Sequence, residues 1–284
     1  MKQLIVNADD LGRAPGVNRG IIEAHRKGIV TSTTVMINLP DAAEGLALAR
    51  AEAPNLGVGL HLTLTAGEPV LPAARVPTLV DESGRFHHIR AWAAVMDRFD
   101  AGELRAELEA QFEAFTRLAG RAPDHLDAHH HATYLHPAAL RAMFDLATAH
   151  GLPVRAPLLD LPDNRAVEGL RGWLPELTPE RAAMLLVSLR DAAQDGPQPR
   201  WPEKLWMDYS NGRPALANLL VILTTLPEDS LTELVCHPGY VDDALRTSGL
   251  VEQREEELLH LTHAATRECV QSEVIKLVSF AALS

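Results

Sequence analysis

Apolar, β-branched runs alternate with helix-length amphipathic stretches along this 284-residue chain, and that alternation restricts its fold more than any other feature. Leu4-Ile5-Val6 opens a buried strand that runs into Asn7-Ala8-Asp9-Asp10-Leu11-Gly12. Residues 16–27 place Val17, Ile21, Ile22 and Ala24 at helical spacing and stop at Lys27-Gly28. Residues 29–38 are β-branched and predict a second strand, and residues 41–52 a second helix closed by Pro54. Residues 56–65 alternate: Val58, Leu60, Leu62 and Leu64 share one face of a strand, Gly59, His61, Thr63 and Thr65 the other. Further on, helices are predicted over 103–119, from Pro137 to 150, and over 250–266, and strands over 125–131, at Val154-Arg155, over 231–237 and over 274–280. Strand and helix taking turns from end to end call for a parallel α/β sheet. Length and strand count favour a TIM-like (β/α) barrel of seven or eight mostly parallel strands in a single domain, 1–284.

Two stretches fit the pattern less well. Residues 66–90 form a long connection with proline and glycine, and residues 79–86 inside it resemble a small hairpin or turn. Between 157 and 212 the pattern blurs: 181–193 is helical, and the Pro/Trp-rich 196–206 is a surface excursion. A further helix is expected over 214–223.

Composition narrows the function classes. A net charge of −12 offers no Lys/Arg cluster with which to displace counterions from phosphates, which argues against nucleic acid as a partner. No apolar run is long enough to span a bilayer, and the N-terminus lacks the layout of a signal peptide. Two cysteines, Cys236 and Cys269, make no disulfide framework, so the cytoplasm is the expected compartment.

Four polar groups fall at the C-terminal ends of predicted strands: Asp9-Asp10, His61, the run Asp127 to His131, and His237. In a parallel α/β fold such ends converge on one mouth. Each has a plain structural account: an Asp as helix cap, His61 hydrogen-bonded to a neighbouring threonine, His129 to His131 as a solvated loop, His237 before a turn. Their joint placement favours a divalent metal site built from imidazole and carboxylate. Strand alternation puts His129 and His131 on one face, and either is a candidate ligand. A metal with a spare carboxylate and a spare imidazole is the equipment of metal-assisted hydrolysis, the carboxylate as general base and the histidine as acid. A cysteine nucleophile at Cys236-His237 fits poorly, because neighbours on a strand point opposite ways. No serine-hydrolase elbow, P-loop or dinucleotide fingerprint is present.

The segments Val6-Asn7-Ala8-Asp9-Asp10-x-Gly12, Gly28-Ile29-Val30-Thr31-Ser32-Thr33-Thr34, Gly57-Val58-Gly59-Leu60-His61-Leu62-Thr63, His125 to His131 and Cys236-His237-Pro238 are spread over nearly the whole chain. Together they resemble the YdjC-like carbohydrate deacetylases, a group that includes diacetylchitobiose deacetylase and the hopanoid-associated deacetylases. The resemblance implies a TIM-like barrel related to polysaccharide deacetylases, a divalent metal (magnesium foremost, zinc as the alternative) and removal of acetyl from an N-acetylated sugar. It also implies Asp10, His61 and His129 as metal ligands, Asp9 as the base that activates water, and His237 as general acid. Asp127 would orient a histidine, His131 would lie near substrate or metal, and Arg155 would contact substrate or pair with Asp9. A homodimer is the assembly it implies. The chain departs from the family pattern at Leu11, where phenylalanine is usual, and at Thr133, where the histidine run often continues.

Competing readings are a non-catalytic sugar-binding or regulatory relative and a metal-dependent phosphoesterase on the same fold. The first has no need of both Asp9 and Asp10. The second calls for more Lys/Arg near the strand ends than the sequence has.

Overall fold

The computed structural model describes residues 1–157, 159, 161–207, 209, 215–245 and 251–283. Two compact units make up the chain: Met1–His61 with Trp201–Ser284, and Leu62–Arg200.

The first unit carries a parallel sheet. Its strands are β1 (Gln3–Leu11), β2 (Ser32–Val35), β3 (Gly57–Leu62, which runs into the boundary), β5 (Lys204–Trp206), β6 (Leu231–Cys236) and β7 (Lys276–Leu277). They lie in the order β3-β2-β1-β6-β5, with β7 paired to Gln3 and Leu4 at the start of β1. The helices α1 (Pro15–Lys27), α2 (Ala42–Glu52), α8 (Leu216–Thr224), α9 (Glu252–Leu261) and α10 (Ala264–Ser272) complete it. Every residue of β1 after Gln3 is buried, as is all of β3. Strands covered on both faces read as continuous apolar runs, which is why Leu4-Ile5-Val6 shows no alternation. The face of β3 that holds Gly59 and His61 is therefore buried too.

The second unit is mostly helical: α3 (Trp92–Val95), α4 (Ala101–Ala119), α5 (Pro137–Ala149), α6 (Asp163–Trp173) and α7 (Pro179–Gln194), with one short strand, β4 (Leu126–Ala128). Asp100 caps α4 by accepting from the backbone N–H of Gly102 and Glu103, and Gly120, at φ 72°, ends it. The long connection 66–90 is pinned to this helix. Glu107 accepts from the N–H groups of Val70 (2.9 Å) and Leu71 (3.0 Å), and Glu103 from that of Thr78 (2.8 Å). Burial holds the Glu107 carboxyl above the usual carboxylate range. The expected hairpin at 79–86 is present as an antiparallel bridge between Val80 and Phe86.

The parallel α/β expectation holds, with seven strands among the described residues. Four local readings are corrected. The helix over 250–266 is two helices, α9 and α10, broken between Leu261 and Ala264, where His263 caps α10 through Ala265 N–H. The excursion 196–206 contains β5, whose Lys204, Leu205 and Trp206 pair with Thr232, Glu233 and Leu234. The strand at Val154-Arg155 is reduced to one bridge, Leu126 to Val154. The strand over 125–131 stops at Ala128 and turns into 3-10 geometry over His129–Leu135. Pro214 and Leu250, at the starts of two predicted helices, lie outside the described residues. Among the described residues no helix is long and apolar enough to cross a membrane.

Candidate active site

In the first unit the C-terminal ends of β1, β3 and β6 face the same way because the strands are parallel, and each delivers a predicted site residue. The acid pair at the end of β1 occupies a break in the ladder. Ala8 pairs with Thr33 and Leu11 with Val35, so Asp9 and Asp10 together oppose Thr34. Asp10 takes φ 75°, a left-handed conformation that side chains other than glycine rarely adopt. Such a bulge re-aims side chains, and strain of this kind concentrates at functional sites. Gly12, at φ 88°, continues the turn, and its N–H is received by the buried Asn18 amide oxygen at 2.7 Å.

The bulge brings two adjacent acids into one hydrogen-bonded network. Asn7 Nδ2 donates to Asp9 Oδ1 (2.8 Å) and lies 3.4 Å from Thr34 Oγ1. Thr34 Oγ1 lies 3.1 Å from His61 Nδ1. With Nδ1 engaged there, Nε2 is the nitrogen turned to Asp10, 3.5 Å from Oδ1. The other oxygen of Asp10, Oδ2, accepts from Arg254 of α9. Asp10, His61 and Arg254 are all buried.

His237 follows β6. Its Nε2 is 3.9 Å from Asp9 Oδ2, and its backbone N–H donates to Glu257 Oε2 at 2.6 Å. The segment that carries it is held tightly against α1: a Cβ on Gly20 would fall 2.4 Å from Gly239 Cα. Burial pushes the Glu257 carboxyl up to about 7, against the opposing pull of the His237 N–H and Arg254.

Asp10 and His61 fit a divalent ion. Two ligand atoms each about 2.1 Å from a shared ion lie roughly 3.0–3.4 Å apart at octahedral or tetrahedral angles, close to the 3.5 Å between Asp10 Oδ1 and His61 Nε2. Carboxylate and imidazole are both borderline-hard donors suited to such an ion.

In the second unit His129 is buried directly after β4, and His130 and His131 both take φ 53°. The alternation argument for His129 and His131 therefore fails, because the strand ends before either residue. Burial separates them instead: His129 is buried, whereas His131 is half-exposed beside Trp173 and Tyr134, with ring centroids 5.0 and 5.9 Å away. His130 Nδ1 lies 3.1 Å from Thr65 Oγ1. Asp127 and Arg155 are wholly buried and paired at 2.9 Å. Tyr134 donates its hydroxyl proton to the Arg155 carbonyl at 3.0 Å, so Arg155 is anchored through side chain and backbone.

The two departures from the family pattern are packing positions. Leu11 is buried, with its Cγ 2.9 Å from where a Cβ on Gly45 of α2 would sit. Thr133 is buried, and its hydroxyl donates to Met143 Sδ.

Sequence reasoning gave no role to Asn7, Thr34, Arg254, Glu257 or Trp173. Asn7 and Thr34 stand inside the motifs that carry the resemblance. Arg254 and Glu257 stand in Glu252-Gln253-Arg254-Glu255-Glu256-Glu257, a run that resembles a solvated helix face and has no local sign of burial.

Comparison with known proteins agrees with this arrangement. The model of the YdjC-like protein family matches residues 3–272. A carbohydrate deacetylase of Brevibacillus brevis is 34% identical over 287 aligned positions, covering 99% of each chain. A chitooligosaccharide deacetylase of Proteus mirabilis is 32% identical, covering 98% of this chain and 97% of its own. Among solved structures, an Enterococcus faecalis protein described as a candidate cellobiose-phosphate cleavage protein is 31% identical and superposes with a TM-score of 0.82, covering 100% of this chain and 99% of its own. With a family match over nearly its full length and relatives above 30% identity from end to end, the chain belongs to the YdjC-like family.

Proposed function

We propose that this chain is a metal-dependent hydrolase that removes acetyl from an N-acetylated sugar, with Asp10, His61 and His129 as metal ligands, Asp9 as general base and His237 as general acid. The observation that carries the reading is the buried Asp10–His61 pair, 3.5 Å between Oδ1 and Nε2, with Arg254 on the far oxygen of Asp10 and Thr34 at the far nitrogen of His61. Ligands held from behind in this way are oriented before any ion arrives. His129 is the third ligand on the strength of its burial, its place at the end of β4 and its match to the family motif. The family match across 3–272 supports the whole chain acting as one deacetylase domain. Magnesium is the metal the family resemblance favours, and the two imidazoles also suit zinc. The scarcity of cysteine, two in 284 residues, supports the cytoplasm as its compartment.

A bound divalent ion supplies polarisation of the acetyl carbonyl and a lowered pKa for water. Asp9, fixed by the Asn7 amide, takes a proton from the attacking water as its oxygen adds to the carbonyl carbon. His237 gives a proton to the sugar nitrogen as the C–N bond breaks, leaving acetate and a free amine. The 3.9 Å between His237 Nε2 and Asp9 Oδ2 puts acid and base close enough to flank one amide. The chitooligosaccharide deacetylase name of the Proteus mirabilis relative favours an oligosaccharide of N-acetylglucosamine over a glycolipid headgroup.

The test is acetate release from N-acetylated mono- and oligosaccharides with added magnesium or zinc, with chelator, and with Asp10→Ala as the blank. Metal-dependent release that needs Asp10 is expected. Metal binding without release from any sugar would overturn the deacetylase reading. Metal content in His129→Ala and His131→Ala tests the third ligand: loss is expected in the first alone.

A further inference from the structure

Trp173, the last residue of α6, is spent neither on the core nor on any role above. Of the helix that carries it, only Ala166 and Leu170 are buried, while Trp92, in the same unit, is wholly buried. Trp173 is half-exposed and stands in a group of rings rather than among aliphatic side chains. His131 lies 5.0 Å away at 63° and His130 6.3 Å away at 45°, both centroid to centroid. Neither imidazole stacks parallel on the indole, so neither covers a whole face of it.

The group leads outward from the buried ligand candidate. The His129 ring is 3.9 Å from that of His130, and His130 and Trp173 are the next rings out. His130 and His131 reach these positions only because both adopt φ 53°. A strained backbone that carries half-exposed rings to the edge of a site is organised for a ligand rather than for packing.

We infer that Trp173, flanked by His131, is a stacking platform for a second sugar ring of the substrate, adjoining the ring that loses its acetyl group. The axial C–H face of a pyranose is apolar and matches the face of an indole, while the imidazoles beside it offer hydrogen bonds to the ring hydroxyls. Trp173 thus acts in binding and chain-length preference and takes no part in proton transfer. Contacts to a remote part of the substrate of this kind favour an oligosaccharide over a monosaccharide.

This inference rests on the deacetylase reading, and the experiment separates the two. Binding of the N-acetylglucosamine trimer to metal-free protein is measured by calorimetry for wild type, Trp173→Ala and Trp173→Phe. Acetate release from monomer and trimer is measured with metal for the same proteins, and thermal melting confirms that each is folded. We expect Trp173→Ala to weaken trimer binding and raise the trimer KM about five- to tenfold. The trimer kcat and the kinetics of the monomer should be unchanged, and Trp173→Phe should keep most of the affinity. Equal trimer affinity and KM in wild type and Trp173→Ala, or an equal loss for monomer and trimer, would overturn the inference. If wild type binds trimer but releases no acetate, the deacetylase reading falls, and the calorimetric comparison still decides Trp173. If wild type binds no trimer, the platform falls with it.

Discussion

Arg254 donates to Oδ2 of Asp10 across 244 residues of sequence, and both side chains are buried. The pair does two things at once. It compensates a carboxylate that would otherwise be costly to bury, and it engages one oxygen of Asp10 while the other lies by His61. Arg254→Met should cost about 3–5 kcal/mol of stability, because it leaves a buried charge without its counter-charge. Urea unfolding checks this. Adding Asp10→Asn to Arg254→Met should recover part of the loss, and strict additivity of the two substitutions would show that the pair is not coupled.

Thr34 holds the imidazole that Asp10 faces. Thr34→Val keeps the shape of the side chain and removes the hydroxyl 3.1 Å from His61 Nδ1. Metal affinity should fall about 10- to 100-fold, the usual effect of losing a partner behind a ligand. Competition with a chromophoric chelator measures it, and unchanged affinity would mean that His61 is oriented by packing alone.

Asp9 is assigned the base and not a ligand. Asp9→Asn should lower kcat by roughly 10²–10⁴-fold, the range for removing a general base, while metal content stays at the wild-type level. Loss of metal in this variant would move Asp9 into the ligand set.

Glu257 predicts a pH dependence of stability. Its folded-state pKa, pushed up to about 7 by burial, stands above the model value of 4.5. Between those values the folded protein holds a proton that the unfolded chain has released, so the contribution of Glu257 is fully present below about pH 4.5. It declines as pH rises through 7 and is flat above. The loss is on the order of 3 kcal/mol. Glu257→Gln cannot titrate but can still accept from the His237 N–H, so its melting temperature should fall less than that of wild type between pH 5 and 8. Parallel curves would show that another group sets the slope.

The strand–helix order and five of the six residues given a catalytic, ligand or carboxylate-orienting role were legible because they lie at ends of well-marked strands. Asp9 and Asp10 close an apolar run, His61 closes an alternating one, Asp127 stands within β4, and His237 follows β6. His129 was legible only as one member of a histidine run. The choice between it and His131 rested on a strand that ends at Ala128, and burial distinguishes them.

By itself the sequence determined the alternation, hence the parallel α/β class, and the residue types that make a hydrolytic metal site. Hydrophobic period and motif are local properties, read within a window of ten or so residues. Tertiary structure alone decided how those residues are held: the bulge that gives Asp10 its φ of 75°, the Thr34 hydroxyl at His61, the Arg254 charge on Asp10 and the Trp173 indole beside His131. Each depends on a contact between segments far apart in the chain, and for Arg254 and Glu257 on the burial of residues that a polar helix sequence marks as exposed. Burial of charge is set by what packs over it, and no local pattern records that.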